Sequence, residues 1–236
     1  MSGHDRSSGR VISRREALAL FGAGALSLMP FGAARATDAG AASCVATAEQ
    51  TEGPYFVDER LRRADIRSDP TTGAAKDGVP LRLRLIVQSI SAKGCMPLAG
   101  AAVDLWQCDA TGVYSDVDDA RGKKFLRGYQ VTDASGRVEF VTLYPGWYPG
   151  RTAHIHFKIR GDGPAGRHYA FTSQFYFDDA VSDRVFARTP YAGRGSRAVR
   201  NTRDFIYRDG GRDLTLPVIE REGGFEADFG VGLRMA

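Results

Sequence analysis

The 236-residue sequence has only three cysteines and four histidines, and no hydrophobic run of membrane-spanning length. The cysteines lack the Cys-x-x-Cys spacing of structural zinc sites. Neither His-Glu-x-x-His nor Gly-x-Ser-x-Gly occurs, so a metalloprotease or an esterase has no support. The apolar stretch at residues 17–31 is shorter than the about 20 residues that a spanning helix needs. With 43% hydrophobic and 25% charged residues, the composition indicates an ordinary soluble protein.

Residues 1–36 differ in composition from the rest of the chain. Paired arginines, Arg14 and Arg15, precede the apolar stretch, and Ala34-Arg35-Ala36 has the small-x-small form of a cleavage site. The pattern predicts a twin-arginine signal peptide over residues 1–36, with the mature chain beginning near Thr37. We therefore expect a periplasmic or extracellular protein with no stable membrane span after cleavage. Retention of the segment as a membrane anchor is the alternative.

Export has two consequences for the rest of the chain. Residues 1–36 hold five arginines against Asp5 and Glu16, so about +1 of the net charge of +4 remains for residues 37–236. Because no basic patch with interleaved aromatics occurs either, nucleic acid is not an expected partner. An oxidising compartment permits one disulfide and one free thiol among Cys44, Cys95 and Cys108, and the sequence leaves the pairing open.

The remainder of the chain has the pattern of a β protein. From Leu81 to Val87 every second residue is apolar, which is typical of a half-buried strand. Further strands are predicted at residues 102–106, 138–143, 152–159, 170–177, 205–207 and 214–218, and one short helix at residues 182–187. Since helices do not alternate with strands, the fold class is all-β. The sequence predicts a single antiparallel β-sandwich with long loops over residues 37–236.

Two histidines stand one residue apart in Arg151-Thr-Ala-His154-Ile-His156-Phe. Alternate side chains of a strand share a face, so the two Cα atoms would lie roughly 6.5 Å apart and both imidazoles could bind one cation. A strand that carries two histidines on a polar face without a metal is the alternative. Tyr148 follows a Pro-Gly turn six residues before His154. A tyrosinate combined with imidazoles suits iron(III) better than copper or zinc.

Several motifs in the same order resemble one enzyme family. They are Asp104-Leu-Trp-Gln-Cys-Asp-Ala-Thr-Gly-Val-Tyr114, the run from Phe125 to Gly136, Pro145-Gly-Trp-Tyr148-Pro, Arg151 to Phe157, and Ser173-Gln174-Phe-Tyr-Phe177. This set is similar to the intradiol ring-cleavage dioxygenases, the group of protocatechuate 3,4-dioxygenase and catechol 1,2-dioxygenase. The resemblance covers about Thr51 to Phe177. It extends to exported single-chain members of the family that begin with a twin-arginine leader.

The resemblance implies a site and a reaction. It implies a non-haem iron(III) held by Tyr114, Tyr148, His154 and His156. It implies that Tyr148 leaves the metal to take up a substrate proton, that Arg151 stabilises the electron-rich ring and that Gln174 orients it. Gly53, Pro54 and Tyr55 would line the substrate pocket. The implied partners are a catechol-type diol and O2, and the implied product is a diacid of the cis,cis-muconate type.

Alternatives remain at this point. A secreted transthyretin-like β-sandwich that binds carbohydrate or an aromatic polymer without catalysis is the second hypothesis for function, and copper is the second candidate metal. Trp106 and Tyr176 are interpreted as core residues and His168 as a solvated side chain. The long N-terminal helical segment that pairs subunits in catechol 1,2-dioxygenases is absent, so a homo-oligomer would have to form in another way.

Overall fold

The computed structural model describes residues 45–92, 94–163 and 168–235. The predicted signal peptide and Cys44 lie outside the described residues. Cys95 is disulfide-bonded and Cys108 is a free, buried thiol, in agreement with the expected one disulfide and one free thiol. None of the helices in the described ranges is long and apolar enough to cross a membrane.

The described residues form nine strands and one α-helix. The strands are β1 Pro80–Ser91, β2 Gly94–Pro97, β3 Ala102–Trp106, β4 Arg127–Val131, β5 Arg137–Leu143, β6 His154–Asp162, β7 His168–Tyr176, β8 Ile219–Arg221 and β9 Gly224–Arg234. The helix α1 spans Asp179–Phe186, where Asp178 caps its first turn through hydrogen bonds from the backbone N–H groups of Ala180 and Val181.

The strands form two sheets. The four-stranded sheet has the order β4-β3-β6-β7, and its neighbours are all antiparallel. The five-stranded sheet has the order β2-β1-β9-β8, and β5 also pairs with β1. β1 and β9 run parallel, which is possible because the long stretch of chain between them, including β2 to β8, brings β9 back beside β1. The prediction of an all-β sandwich is confirmed, with this one parallel pair inside it.

The alternation of side chains sends one face of each strand into a shared core. In β1 the residues Leu81, Leu83, Leu85 and Val87 are buried, as their spacing predicts. In β6, Ile155, Phe157 and Ile159 enter the same core. The neighbouring positions His154, His156 and Lys158 therefore face away from the core, toward the loops that cover this sheet.

The end of the chain differs from the prediction. Residues 205–207 form a turn, and residues 214–218 contribute only an isolated bridge between Thr215 and Tyr176. The last strands are instead β8 and β9. Three glycines in β9, Gly224, Gly230 and Gly232, interrupt the apolar alternation that would have marked it as a strand. The short strands β2 and β4 were also missed, while the predicted helix at 182–187 is present and begins three residues earlier.

Candidate metal centre and substrate site

The face of the four-stranded sheet that points away from the core carries a cluster of functional side chains. In the register of β3, β6 and β7, His156 stands between Trp106 and Gln174, and His154 stands opposite Tyr176. All five side chains are buried. The Nε2 atoms of His154 and His156 lie 3.1 Å apart, so the two imidazoles converge as their spacing in the sequence predicts.

Two tyrosines from the covering loops bring their hydroxyl groups to the same point. The Oη of Tyr114 lies 3.4 Å, and the Oη of Tyr148 3.3 Å, from Nε2 of His154. Ligand bonds of about 2.0–2.1 Å set at 90–120° to one another place donor atoms about 3.0–3.5 Å apart. The three distances from Nε2 of His154 to the other donor atoms therefore match the spacing of ligands around one cation.

The protonation of the two imidazoles suits a metal. The Nδ1 of His154 lies 2.7 Å from the carbonyl oxygen of Thr152 and donates its proton there, which leaves the Nε2 lone pair free. Burial and the Arg151 guanidinium lower the pKa of His154 to about 3, and burial together with His154 lowers the pKa of His156 far below its usual value. Without a cation, Nε2–H of His156 can donate to the free Nε2 lone pair of His154, and a bound cation would take the place of that proton.

Burial also keeps both phenols protonated in the absence of a cation. It raises the pKa of Tyr148 to about 12 and the pKa of Tyr114 well above its ordinary value. A metal ion would supply the positive charge that stabilises the tyrosinate form. Within the described ranges no three His, Cys, Asp or Glu residues come together as a metal site, so a metal here depends on the tyrosines.

Two glycines allow the tyrosine-bearing loops to pack backbone against backbone. A Cβ on Gly146 would come within 2.8 Å of the Ala110 carbonyl oxygen and closer still to that of Asp109. Gly112, at φ +84°, is similarly blocked by the Trp147 carbonyl oxygen at 2.5 Å. The Asp109 carboxylate shapes the loop by accepting hydrogen bonds from the backbone N–H groups of Thr111 and Val113. The close packing of the two loops fixes the relative positions of Tyr114 and Tyr148.

Arg151 and Gln174 form the side of the site that could hold a substrate. Arg151 is buried, and its Nη2 donates to Oε1 of Gln174 over 2.6 Å while its Nη1 lies 3.5 Å from Nε2 of His154. The Nε2 of Gln174 donates to the carbonyl oxygen of Thr51. A fixed guanidinium beside the four donor atoms can stabilise negative charge that develops on a bound ring.

The predicted pocket segment lies against the same cluster. Tyr55 stacks on Tyr114 with ring centroids 4.4 Å apart, and a Cβ on Gly53 would lie 3.5 Å from Cε1 of His156. Pro54 stands between them in a turn. A cavity of about 190 Å³ is lined by Tyr55 and Tyr114 together with residues 112–113 and 117–120. The structure thus places Gly53 and Tyr55 against the donor residues, and Pro54 lies between these two in the chain.

Three residues near this centre were not assigned to it from the sequence. Trp106 stacks on His156 at 4.9 Å with an interplanar angle of 11°, and the hydroxyl of Tyr176 lies 3.2 Å from Oε1 of Gln174. Asp204 accepts a hydrogen bond from Nε of Arg151 over 2.8 Å. Only the alternation of β3 and β7 could have placed Trp106 and Tyr176 on this face, and no local pattern marks Asp204. His168 is exposed, as expected.

Comparisons with known proteins identify the family. A family model described as "Dioxygenase" matches residues 51–198. The protocatechuate 3,4-dioxygenase beta chain of Burkholderia cepacia is 37% identical over 53% of this chain and 59% of its own length. A chlorocatechol 1,2-dioxygenase of Pseudomonas putida is 29% identical over 56% of this chain and 54% of its own length. The chain thus spans little more than half the length of these two curated relatives.

A solved structure matches more of the chain. The intradiol ring-cleavage dioxygenase of Tetranychus urticae superposes with a TM-score of 0.71 and 31% identity, over 81% of this chain and 95% of that one. The matched family model covers more than half of the sequence and includes all four converging donor residues. The chain therefore belongs to the intradiol ring-cleavage dioxygenase family.

Proposed function

We propose that this protein is an iron(III)-dependent dioxygenase that inserts both atoms of O2 into a catechol-type diol and gives a product of the cis,cis-muconate type. One observation carries the proposal, namely the convergence of the Tyr114, Tyr148, His154 and His156 donor atoms beside Arg151. Phenolate and imidazole ligands without a thiolate favour iron(III) over zinc or copper(I). The names of the curated relatives support a catecholic substrate class for this chain.

The four residues would hold the iron, and each remaining group has a task on the substrate. Ferric iron, when bound, supplies a Lewis acid that binds the diol oxygens and makes the ring reactive toward O2. Tyr148 is half-buried, whereas Tyr114 is buried, so Tyr148 is the phenol with room to move. Its Oη takes up a phenolic proton of the incoming diol and holds it during the reaction.

Three further side chains, those of Arg151, Gln174 and Tyr55, fix and shield the ring. The Arg151 guanidinium is directed at the metal side of the pocket and stabilises the negative charge of the doubly deprotonated diol. The amide of Gln174 is held by Arg151 at one end and by the backbone of Thr51 at the other, so it provides a fixed polar contact for orientation. Tyr55, stacked on Tyr114, excludes water from one side of the site.

Metal analysis, absorption spectroscopy and oxygen-uptake measurements on the purified protein would test the proposal. Iron near one equivalent per chain should accompany a visible band from tyrosinate-to-iron charge transfer. Catechol, protocatechuate and hydroxyquinol should be compared for oxygen consumption, and the products identified. The matched control is His156→Ala, which should lose iron, colour and oxygen uptake together.

Other outcomes would favour the alternatives. Folded, colourless and iron-free protein that binds aromatic or carbohydrate ligands without consuming oxygen would support the transthyretin-like binding module. Copper at one equivalent, with oxygen uptake that follows copper content, would identify copper instead of iron as the metal of the site. The four converging donors are the reason that we place both alternatives second.

Export by the twin-arginine route to the periplasm or the extracellular space belongs to the proposal as well. It is supported by the paired Arg14 and Arg15 ahead of an apolar stretch. Cell fractionation of the full chain and of the double substitution Arg14→Lys and Arg15→Lys tests it. The variant should accumulate in the cytoplasm, and equal export of both chains would reject the route.

A further inference from the structure

Asp204 has a fully buried carboxylate that accepts hydrogen bonds from Arg151, on the substrate side of the site, and from the backbone of Thr152, beside the metal side. It lies immediately after Arg203 and just before the turn at residues 205–207, and none of its side chain is exposed. Its partner Arg151 lies 53 residues earlier in the chain. A buried charge is costly unless it is paired and fully hydrogen-bonded. The hydrogen-bond donors around Asp204 therefore indicate its role.

Each carboxylate oxygen of Asp204 accepts two hydrogen bonds. Oδ2 accepts from Nε of Arg151 and from the backbone N–H of Thr152, both over 2.8 Å. Oδ1 accepts from the backbone N–H groups of Ile206 at 2.8 Å and Tyr207 at 3.1 Å. The turn at residues 205–207 therefore holds the carboxylate in one orientation, and that orientation faces Arg151 and Thr152.

The two contacts of Oδ2 lead to different parts of the centre. Docking of the Arg151 Nε edge leaves its Nη edge directed at Gln174 and at Nε2 of His154. The Thr152 N–H lies in the same residue as the carbonyl oxygen that accepts from Nδ1 of His154. One carboxylate thus contacts the substrate-side guanidinium directly and the residue that bonds to one metal-side imidazole.

We propose that Asp204 is a positioning residue for the reaction, an inference that rests on the proposed function. It holds Arg151 in the orientation that meets the ring, and its negative charge offsets the cost of burying the guanidinium. Misplacement of a catalytic group by about 1 Å can lower a rate by about 100-fold. Asp204 itself touches neither metal nor substrate.

The test uses Asp204→Asn, because asparagine keeps the size of the side chain but not its charge or its second acceptor. In either orientation the amide NH2 faces two N–H donors, so one pair of hydrogen bonds is lost. We expect kcat to fall about 10- to 100-fold, while iron content and the visible band of the resting protein stay as in the wild type. The matched control is Asp183→Asn, which removes a carboxylate from the buried Arg197. It should leave kcat unchanged.

A double-mutant cycle separates positioning from general stability. If Asp204 acts through Arg151, Asp204→Asn should lower kcat no further in an Arg151→Gln background. An equal fold-loss in both backgrounds, or wild-type kcat for Asp204→Asn, overturns the proposal. If Asp204→Asn alone does not fold, two other variants take its place. One is the double variant, in which residues 151 and 204 are both neutral. The other is Asp204→Glu, which retains the negative charge. Asp204→Glu should keep iron and colour with reduced kcat, and wild-type kcat in it would overturn the proposal.

A measurement on iron-free protein keeps this proposal distinct from the proposed function. In the NMR spectrum of the wild type, the Nε–H proton of Arg151 should be protected from exchange with water by Asp204. Asp204→Asn, which offers at most a neutral amide oxygen to that proton, should reduce the protection. The same resonance should persist in Asp183→Asn. If the wild type takes up no oxygen, the proposed function fails while the NMR result still shows whether Asp204 orients Arg151. A rapidly exchanging proton in the wild type overturns the positioning.

Discussion

His154 uses its two ring nitrogens for different purposes. Nδ1 donates to a backbone carbonyl, and Nε2 meets the two phenols and the other imidazole. His156 is oriented by stacking, since Trp106 lies parallel to it and its Nδ1 has no hydrogen-bond partner. Loss of any one of these residues leaves three donors. The imidazoles are buried, whereas the half-buried Tyr148 leaves a position that water can reach and fill.

We therefore expect the ligand substitutions to separate into two classes. His156→Ala should lose iron outright, whereas Tyr148→Phe should retain iron and part of its colour and lower kcat by about 100-fold, the contribution of a positioned proton acceptor. Metal analysis and steady-state kinetics on the two purified variants provide the check. Full activity in both would show that the four donors are not the centre.

The depressed histidine pKa values predict a pH dependence for iron-free protein. Burial lowers the pKa of His154 to about 3 and that of His156 well below its usual value. In the unfolded chain both histidines bind protons below about pH 6.5, and in the folded chain they do not. The free energy of unfolding should therefore fall as the pH falls from about 6.5 toward 3, by up to about 1.4 kcal/mol per pH unit for each histidine.

Thermal unfolding of iron-free protein between about pH 7 and pH 4.5 measures this slope. Carboxylates also titrate near the lower limit, so the informative quantity is the difference between variants. His156→Asn should flatten the slope relative to the wild type. Parallel slopes for the wild type and His156→Asn would contradict buried, neutral imidazoles.

At the scale of elements, the positions of the two tyrosines depend on the close approach of their loops. Gly146→Ala should force these loops apart, because its Cβ would collide with the Asp109 and Ala110 carbonyl oxygens. We expect destabilisation by about 1–3 kcal/mol and weakened iron binding. Chemical denaturation and iron titration test this. Gly193→Ala is the matched control, since a Cβ there meets nothing within 4 Å, and it should leave both properties unchanged.

Prediction from sequence succeeded where the pattern is local and failed where distant residues decide. The alternation in β1 and β6 fixed which residues enter the core and placed His154 and His156 on one face. The apolar residues at 205–207 suggested a strand, yet the N–H groups of Ile206 and Tyr207 bond to Asp204 instead of a neighbouring strand. Asp204 itself could not be assigned, because its partners lie more than fifty residues earlier in the chain.

At the scale of the whole molecule, the four donors tie separate parts of the chain together. Tyr114 belongs to the loop after β3, Tyr148 to the turn after β5, and the histidines to β6. A metal held by all of them crosslinks two covering loops to the four-stranded sheet. Because the unfolded chain does not present these donors together, metal binding should add directly to the free energy of unfolding.

We expect iron to raise the melting temperature of iron-free protein. At a free iron concentration of about 100 times Kd the stabilisation is about 2.7 kcal/mol, which corresponds to a shift of about 5–11 °C for a domain of this size. Calorimetry before and after chelation, and again after iron is restored, measures the shift. His156→Ala should show none under the same conditions. Iron-free protein that is folded but melts at one temperature with and without iron would mean that the tyrosines and histidines do not act together as one metal centre.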